Sequence, residues 1–421
     1  MHNWSENVEY TTTDLRTPTS VDELRDVVAS SRRVKAIGSR HSFNRLADTD
    51  GVLVSTEALG LPIELDQAAG TVRVGAGTTH AVLARALQAR GRALPNLASL
   101  PHISVAGAVQ TGTHGSGVRN PALSASVAAV EIVRADGSLD VVRRGDEAFG
   151  ASVVGLGALG VVTALVLDTV PTFDVVQTVH HDLPWDAALA DFSRLMAHAY
   201  SVSLFTRFTG DVVGQVWAKA RVGDAPLATP LDLVAMGARP ASEAVHMLPD
   251  TAADAVTPQL GVPGPWLDRL PHFRAEFTPS AGEEIQSEYL VPAEHAPAAI
   301  EALRSIGETL ADVIFVSEIR SIAADDAWLS PSGGRDSIAF HFTWRRDTDA
   351  VLAVLPSIEE ALAPFDARPH WGKVATLDHG VLRRRYPRLD DFAAHAAAVD
   401  PEGRFRNAHL DHTVFGGSPR A

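Results

Sequence analysis

The chain of 421 residues has no cysteine. Disulfides, thiolate metal sites and cysteine nucleophiles are therefore excluded. No run of eighteen apolar residues occurs, so no membrane-spanning helix is expected. The opening Met1-His2-Asn3-Trp4-Ser5-Glu6 lacks a basic region followed by an apolar core, so no secretory signal is expected and the cytoplasm is the default compartment. Positive charge is in short supply. There are 36 Lys and Arg against 51 Asp and Glu, a formal charge of −15, which argues against a nucleic-acid or anionic-membrane partner. The chain holds 17 histidines but no H-E-x-x-H, and the adjacent His180 and His181 would diverge on a strand, so no metal site is expected. The nucleophile-elbow motif of serine hydrolases and the P-loop are also missing.

The hydrophobic content is 46%, enough for a large core, and the length allows two or three domains. Ser20-Val21-Asp22-Glu23 is a capping-box pattern, followed by Leu24, Val27 and Val28 on one helical face. Val34 to Ile37, Val52 to Val54 and Thr71 to Val74 read as strands, and Thr79 to Arg90 as a helix stopped by Gly91. Val127 to Val133 and Leu139 to Val142 flank Asp136-Gly137, a strong hairpin signal. Gly155-Leu156-Gly157-Ala158-Leu159-Gly160 matches the dinucleotide fingerprint letter for letter. That fingerprint must follow a strand and open a helix. Here helical residues precede it and the β-branched run Val161 to Leu167 follows, so a helix-to-strand turn is the better reading. Beyond about Pro171 strands alternate with helices, with a Pro-rich interruption from Pro258 to Pro279, a helix over Ala293 to Leu310, strands over Val313 to Ile322 and Ser337 to Trp344, and a further helix through Ile358 to Leu362.

Strand side chains alternate faces with period two. Glu318 and Arg320 therefore share one face of their strand, and His341 and Thr343 one face of theirs, opposite Phe340, Phe342 and Trp344. Such a face is either the solvated side of an antiparallel sheet or a mixed donor and acceptor set suited to a polyol.

Two stretches add to this. Gly38-Ser39-Arg40-His41-Ser42-Phe43-Asn44 follows the strand ending at Ile37, where a Gly-Ser turn frees backbone N–H groups for an anion. Leu94 to Gly107, running on to Thr111-Gly112-Thr113-His114-Gly115-Ser116-Gly117, is dense in small residues that let a backbone approach a flat or phosphorylated ligand. Together with the SEIR, HFTW, RPHWGK and DPEGRFRN stretches, they resemble the vanillyl-alcohol oxidase family of flavoproteins, and most closely its alditol oxidase branch, over nearly the whole chain. Arg40 is a departure, because relatives commonly have Gly there.

The resemblance implies a two-domain α+β fold. Residues 1–172 would bind FAD, residues 173–367 would form a substrate domain with a mainly antiparallel sheet and flanking helices, and residues 368–421 would return to the FAD-binding domain. It implies FAD bound covalently through His41, and with no cysteine a second tether through sulfur is impossible. Cofactor contacts are expected from Ile37, Gly38, Ser39, Arg40, His41 and Ser42, from Ser99, Ser104, Gly107, Thr111, Gly112, Thr113 and His114, and from Val162 and His370. The positions matching Ser99, Glu318, Arg320, Thr343 and Lys373 would line the substrate pocket, with Glu318, Arg320 and Lys373 catalytic. The expected reaction is oxidation of an alditol at C1, with O2 reduced to H2O2. Polyol and O2 are the expected partners, and a monomer is the expected state. The rivals are an aldonolactone oxidase or dehydrogenase, which shares the architecture, and a flavin-binding protein without turnover.

Overall fold

Alternating apolar residues drive separate sheets in the N-terminal part and in the rest of the chain, and the space between these parts is where the candidate residues meet. The computed structural model describes residues 1–225, 229, 231–248, 251–277 and 283–417, so Pro279 and the residues after 417 lie outside it.

The N-terminal part holds a parallel three-stranded sheet of Leu15–Arg16, Val52–Ser55 and Val34–Ile37, and an antiparallel five-stranded sheet. The latter runs Glu64–Asp66, Thr71–Gly75, Val161–Asp168, Val127–Val133, Leu139–Arg143. Helix Val21–Ser30 begins as expected, with Ser20 accepting from the Glu23 N–H, but the Glu23 carboxylate returns to the Thr19 N–H rather than to Ser20. The hairpin turns through Gly137 at φ +80, with Asp136 Oδ1 accepting from the Ser138 N–H. The G-x-G-x-x-G run does connect helix Phe149–Val153 to strand Val161–Asp168. Gly160 sits there at φ +144, and a Cβ would come within 2.4 Å of the Val133 carbonyl oxygen. This glycine serves a turn packed against the hairpin.

The second sheet has nine strands among the described residues. Its middle runs Asp174–Pro184, Val212–Arg221, Ser201–Thr206, Ile314–Ile322, Ser337–Arg345, Glu284–Pro292, all antiparallel. One face carries Leu204, Val216, Ile319, Phe340, Phe342 and Trp344 and is buried under helices including Ala296–Ser305 and Thr348–Leu362. The expected helix over Ala293 to Leu310 is broken into Ala293–His295, Ala296–Ser305 and Gly307–Leu310. It breaks at Ile306, and a Cβ on Gly307 would meet the Phe208 carbonyl oxygen at 2.3 Å, so close packing bends the chain there. After Arg368–Pro369 pairs with the large sheet, the helices His379–Arg385, Leu389–Val399 and Ala408–Thr413 contribute Leu382, Tyr386, Phe392 and Leu410 to the same core as Val72, Val74 and Leu165. No helix among the described residues is long and apolar enough to cross a membrane.

Candidate active site

The other face of the large sheet is polar, but it is not solvated. Register places Glu318, His341 and Glu288 abreast on three neighbouring strands. Glu288 is 1% exposed, Glu318 4% and Arg320 5%, which decides against the solvated-face reading. Arg320 donates to Glu288 Oε1 at 2.7 Å and to Ser99 Oγ at 3.3 Å. Lys373 donates to Glu288 Oε2 at 2.7 Å and to Nδ1 of His341 at 2.6 Å. An ammonium can only donate, so the His341 ring carries its proton on Nε2 and offers it to Thr343 Oγ1 at 3.1 Å.

Burial by itself would raise the pKa of both carboxyls, but the neighbouring cations and histidine rings outweigh it. Lys373, His114 and Arg320 hold Glu288 well below the ordinary range, and Arg320 and His272 hold Glu318 below it. Burial lowers Lys373, with Glu288 opposing it. Burial also lowers Arg320, but Glu318 and Glu288 leave it net raised. One donor here has no partner. Arg320 Nε is buried without a hydrogen bond, 3.6 Å from Glu318 Oε2.

These residues line one wall of a cavity of about 420 Å³, and the opposite wall comes from the N-terminal part. Of the expected cofactor contacts, Ile37 to Ser42, Ser99, Ser104, Gly107, Thr111, Thr113, His114, Val162 and His370 all line it, as do the substrate candidates Glu318, Arg320, Thr343 and Lys373. Gly112 is the exception. It turns at φ +69 with the Pro331 ring against it, and it does not line the cavity. Arg40 takes a left-handed φ of +62, a conformation that glycine adopts at less cost, and its guanidinium reaches back to the His2 carbonyl at 3.5 Å.

The small residues leave room of the right kind for a dinucleotide. A Cβ on Gly38 would lie 2.3 Å from Ser104 Oγ, and one on Gly107 2.7 Å from it. Ser104 Oγ is itself buried with no hydrogen-bond partner. A bare backbone on both sides of an unpaired hydroxyl fits a ligand that approaches closely and carries acceptors. His41 donates from Nδ1 to the Ser39 carbonyl at 3.0 Å and stacks on Trp4 with centroids 4.8 Å apart. Burial pushes its pKa down to about 4, which keeps the imidazole neutral and nucleophilic near pH 7.

Sequence reasoning missed Glu288 and His272, and it singled out His341 only for sharing a face. The signal for Glu288 was present, since Glu284, Gln286 and Glu288 alternate with Ile285, Ser287 and Tyr289. His272 lies on a loop with no periodic signal.

A cleft with room for a dinucleotide on one side and buried cations and carboxylates on the other is the arrangement expected of a flavin-dependent oxidoreductase. Comparison with known proteins agrees. The FAD binding domain family matches residues 15–142, and the D-arabinono-1,4-lactone oxidase family matches residues 282–413. An alditol oxidase from Streptomyces sp. (strain IKD472) is 51% identical, covering 98% of this chain and 99% of its own. An L-gulono-1,4-lactone dehydrogenase from Mycobacterium tuberculosis is 30% identical over 93% of each chain. The solved structure of cholesterol oxidase from B. sterolicum superposes with a TM-score of 0.77 at 15% identity, covering 98% of this chain and 96% of that one, which speaks to the fold alone. The chain belongs to the vanillyl-alcohol oxidase family of FAD-dependent oxidoreductases, in the branch of the alditol oxidase.

Proposed function

We propose that this protein oxidises the C1 hydroxyl of an open-chain alditol such as xylitol or sorbitol to the aldehyde, with O2 reduced to H2O2. The observation that carries the reading is the unpaired Arg320 Nε standing 3.6 Å from Glu318 Oε2. A hydroxyl seated between them accepts from Nε and donates to Oε2, satisfying a buried donor and a buried carboxylate together. Ser99 and Thr343 both line the cavity and would orient the neighbouring hydroxyls. Arg320 and Lys373 stabilise the developing alkoxide. Glu318, kept ionised by Arg320 and His272 against the effect of burial, accepts the hydroxyl hydrogen bond. Bound FAD would supply the acceptor for the hydride leaving C1 and the route for its electrons to O2. The 51% identical relative supports alditols over lactones.

The test is an anaerobic screen following flavin bleaching. Xylitol and sorbitol should bleach the flavin far faster than butanol or aldonolactones, because a ligand without the extra hydroxyls leaves polar groups unpaired at roughly 1–3 kcal/mol each. Lys373→Ala should slow bleaching by on the order of a hundredfold, the scale of losing one oxyanion donor. Faster bleaching by a lactone, or a wild-type rate in Lys373→Ala, sinks the assignment.

The same reading places FAD on His41 covalently. Its support is a neutral, half-buried imidazole at the cradle's edge, in a chain with no cysteine to serve instead. After acid denaturation the protein band should fluoresce yellow-green on a gel. The His41→Ala band should be dark, with FAD released to the supernatant. Domain limits near 172 and 367 belong to this proposal too. They are supported by the change of sheet between Asp168 and Asp174 and the return of the C-terminal helices to the first core.

A further inference from the structure

Behind Glu318 stands a buried pair: His272, which helps keep it ionised, and Lys219, which has no part in the chemistry above. Lys219 lies on strand Val212–Arg221, with one strand between it and the strand of Glu318, and is 1% exposed. It donates to the Leu270 carbonyl at 2.6 Å and the Pro271 carbonyl at 3.0 Å, and stands 3.1 Å from His272 Nδ1. His272 Nε2 is 2.7 Å from Glu318 Oε1. The ring is gripped edge-on by Phe205 and Trp217, with centroids 5.6 and 5.2 Å away, and the His272 backbone N–H donates to the Ser99 carbonyl at 3.1 Å.

A lysine ammonium has only donors. With two of its hydrogens on carbonyls, the remaining one points the His272 Nδ1 lone pair at Lys219. The single ring proton is then on Nε2, where it is donated to the carboxylate. We propose that Lys219 and His272 are positioning residues for Glu318: the lysine sets the histidine's tautomer, and the histidine pins Oε1 so that Oε2 is the oxygen presented to the substrate hydroxyl. The proposal rests on the reading of this cavity as an alditol site.

Burial brings His272 down to about 4, so the ring is neutral at working pH, and brings Lys219 down to about 7, with Glu318 opposing. The charged and titratable groups facing this chain are few. Lys219 meets His272, Glu318 and Arg320, His272 meets Lys219, Glu318 and Arg320, and Glu318 also meets His341 on the adjoining strand. When Lys219 gives up its proton, its amine can accept as well as donate, so the ammonium no longer holds Nδ1 bare. The Nδ1–H tautomer then competes with Nε2–H, and Glu318 loses part of its tether.

Two readouts test this. In substrate-free, FAD-loaded protein with 15N-labelled histidine, the His272 signal, identified by its loss in His272→Gln, should show the Nε2–H tautomer at about pH 6. It should lose that tautomer in Lys219→Met. In anaerobic stopped flow, the wild-type Kd for xylitol should rise as pH increases through about neutrality. In Lys219→Met that limb should vanish and the Kd should sit about tenfold higher throughout, with FAD content unchanged. His272→Leu should raise Kd about tenfold, and His272→Gln, which keeps a donor, should recover most of the loss. An Nδ1–H tautomer in the wild type, a surviving limb in Lys219→Met, or wild-type affinity in His272→Leu overturns the proposal. Because the tautomer is read without substrate, a wild-type protein that no alditol bleaches overturns the functional reading separately.

Discussion

Glu288 is the residue on which the cavity's cations depend. Its two oxygens are shared between Arg320 and Lys373, each at 2.7 Å, and His114 Nε2 stands 3.4 Å from Oε1, in ion-pair range without a hydrogen bond. Arg320 and Lys373 thus meet across one carboxylate, which holds two like charges in the same small space. Removing one partner from a buried pair costs roughly 3–5 kcal/mol, because the charges left behind are neither solvated nor paired. Glu288→Gln keeps the shape and removes the charge. It should lower the urea midpoint, and it should slow flavin reduction by at least about tenfold as Lys373 and Arg320 move apart. Equilibrium urea unfolding together with anaerobic bleaching separates the effects. If bleaching with xylitol is unchanged, Glu288 is a structural counter-ion without influence on the cations' placement.

At the scale of elements, the cradle is built by the short helix Val105–Gln110 and the turn after strand Val34–Ile37. Gly107 is helical and carries no special backbone angle, so its smallness makes room for the Ser104 hydroxyl at the cavity wall. Gly107→Ala should change the stability of the flavin-free polypeptide by no more than about 1 kcal/mol, the gain in helix propensity offsetting the displacement of the Ser104 hydroxyl. Its Cβ would stand 2.7 Å from Ser104 Oγ, so FAD content after purification should fall sharply. Full FAD occupancy with an unchanged flavin spectrum would show that the space is not the cofactor's. Elements of this kind were legible in the sequence where one local signal fixed them: the Ser20 cap, the Asp136-Gly137 hairpin, and the alternation that set Glu318 beside Arg320. What was not legible needed pairing register or loop placement. Glu288 becomes a site residue only because its strand pairs with that of His341, and His272 only because its loop crosses over Glu318. Alternation marks the face that Glu288 shares with Glu284 and Gln286, but neither the pairing of that strand nor the course of the His272 loop is carried by the residues around them.

At the scale of the whole molecule, several histidines are folded away as neutral groups. His80 is the cleanest case. It opens helix His80–Gln88, is 2% exposed, and neither ring nitrogen has a hydrogen-bond partner. Burial pushes its pKa from 6.5 down to about 4. His272 and His409 are pushed to about 4 in the same direction, again chiefly by burial. The sign follows from linkage. Above about pH 6.5 both folded and unfolded chains hold these rings neutral, and they contribute nothing to the pH dependence. Between about pH 6.5 and 4 the unfolded chain takes up protons that the folded chain refuses, so stability falls as pH falls. Below about pH 4 both states are protonated and the loss is complete. For His80 alone the loss at about pH 5 is about 2 kcal/mol. The urea midpoint should therefore drop steeply between about pH 7.5 and pH 5. His80→Leu keeps the helical backbone and the bond from its N–H to the Ile103 carbonyl while removing the titrating ring. Its midpoint should drop distinctly less over the same interval. A variant that loses as much stability as the wild type would place the acid sensitivity in other buried histidines such as His272 and His409, because the lowered carboxyls of Glu288 and Glu318 begin to count only below the ordinary carboxylate range.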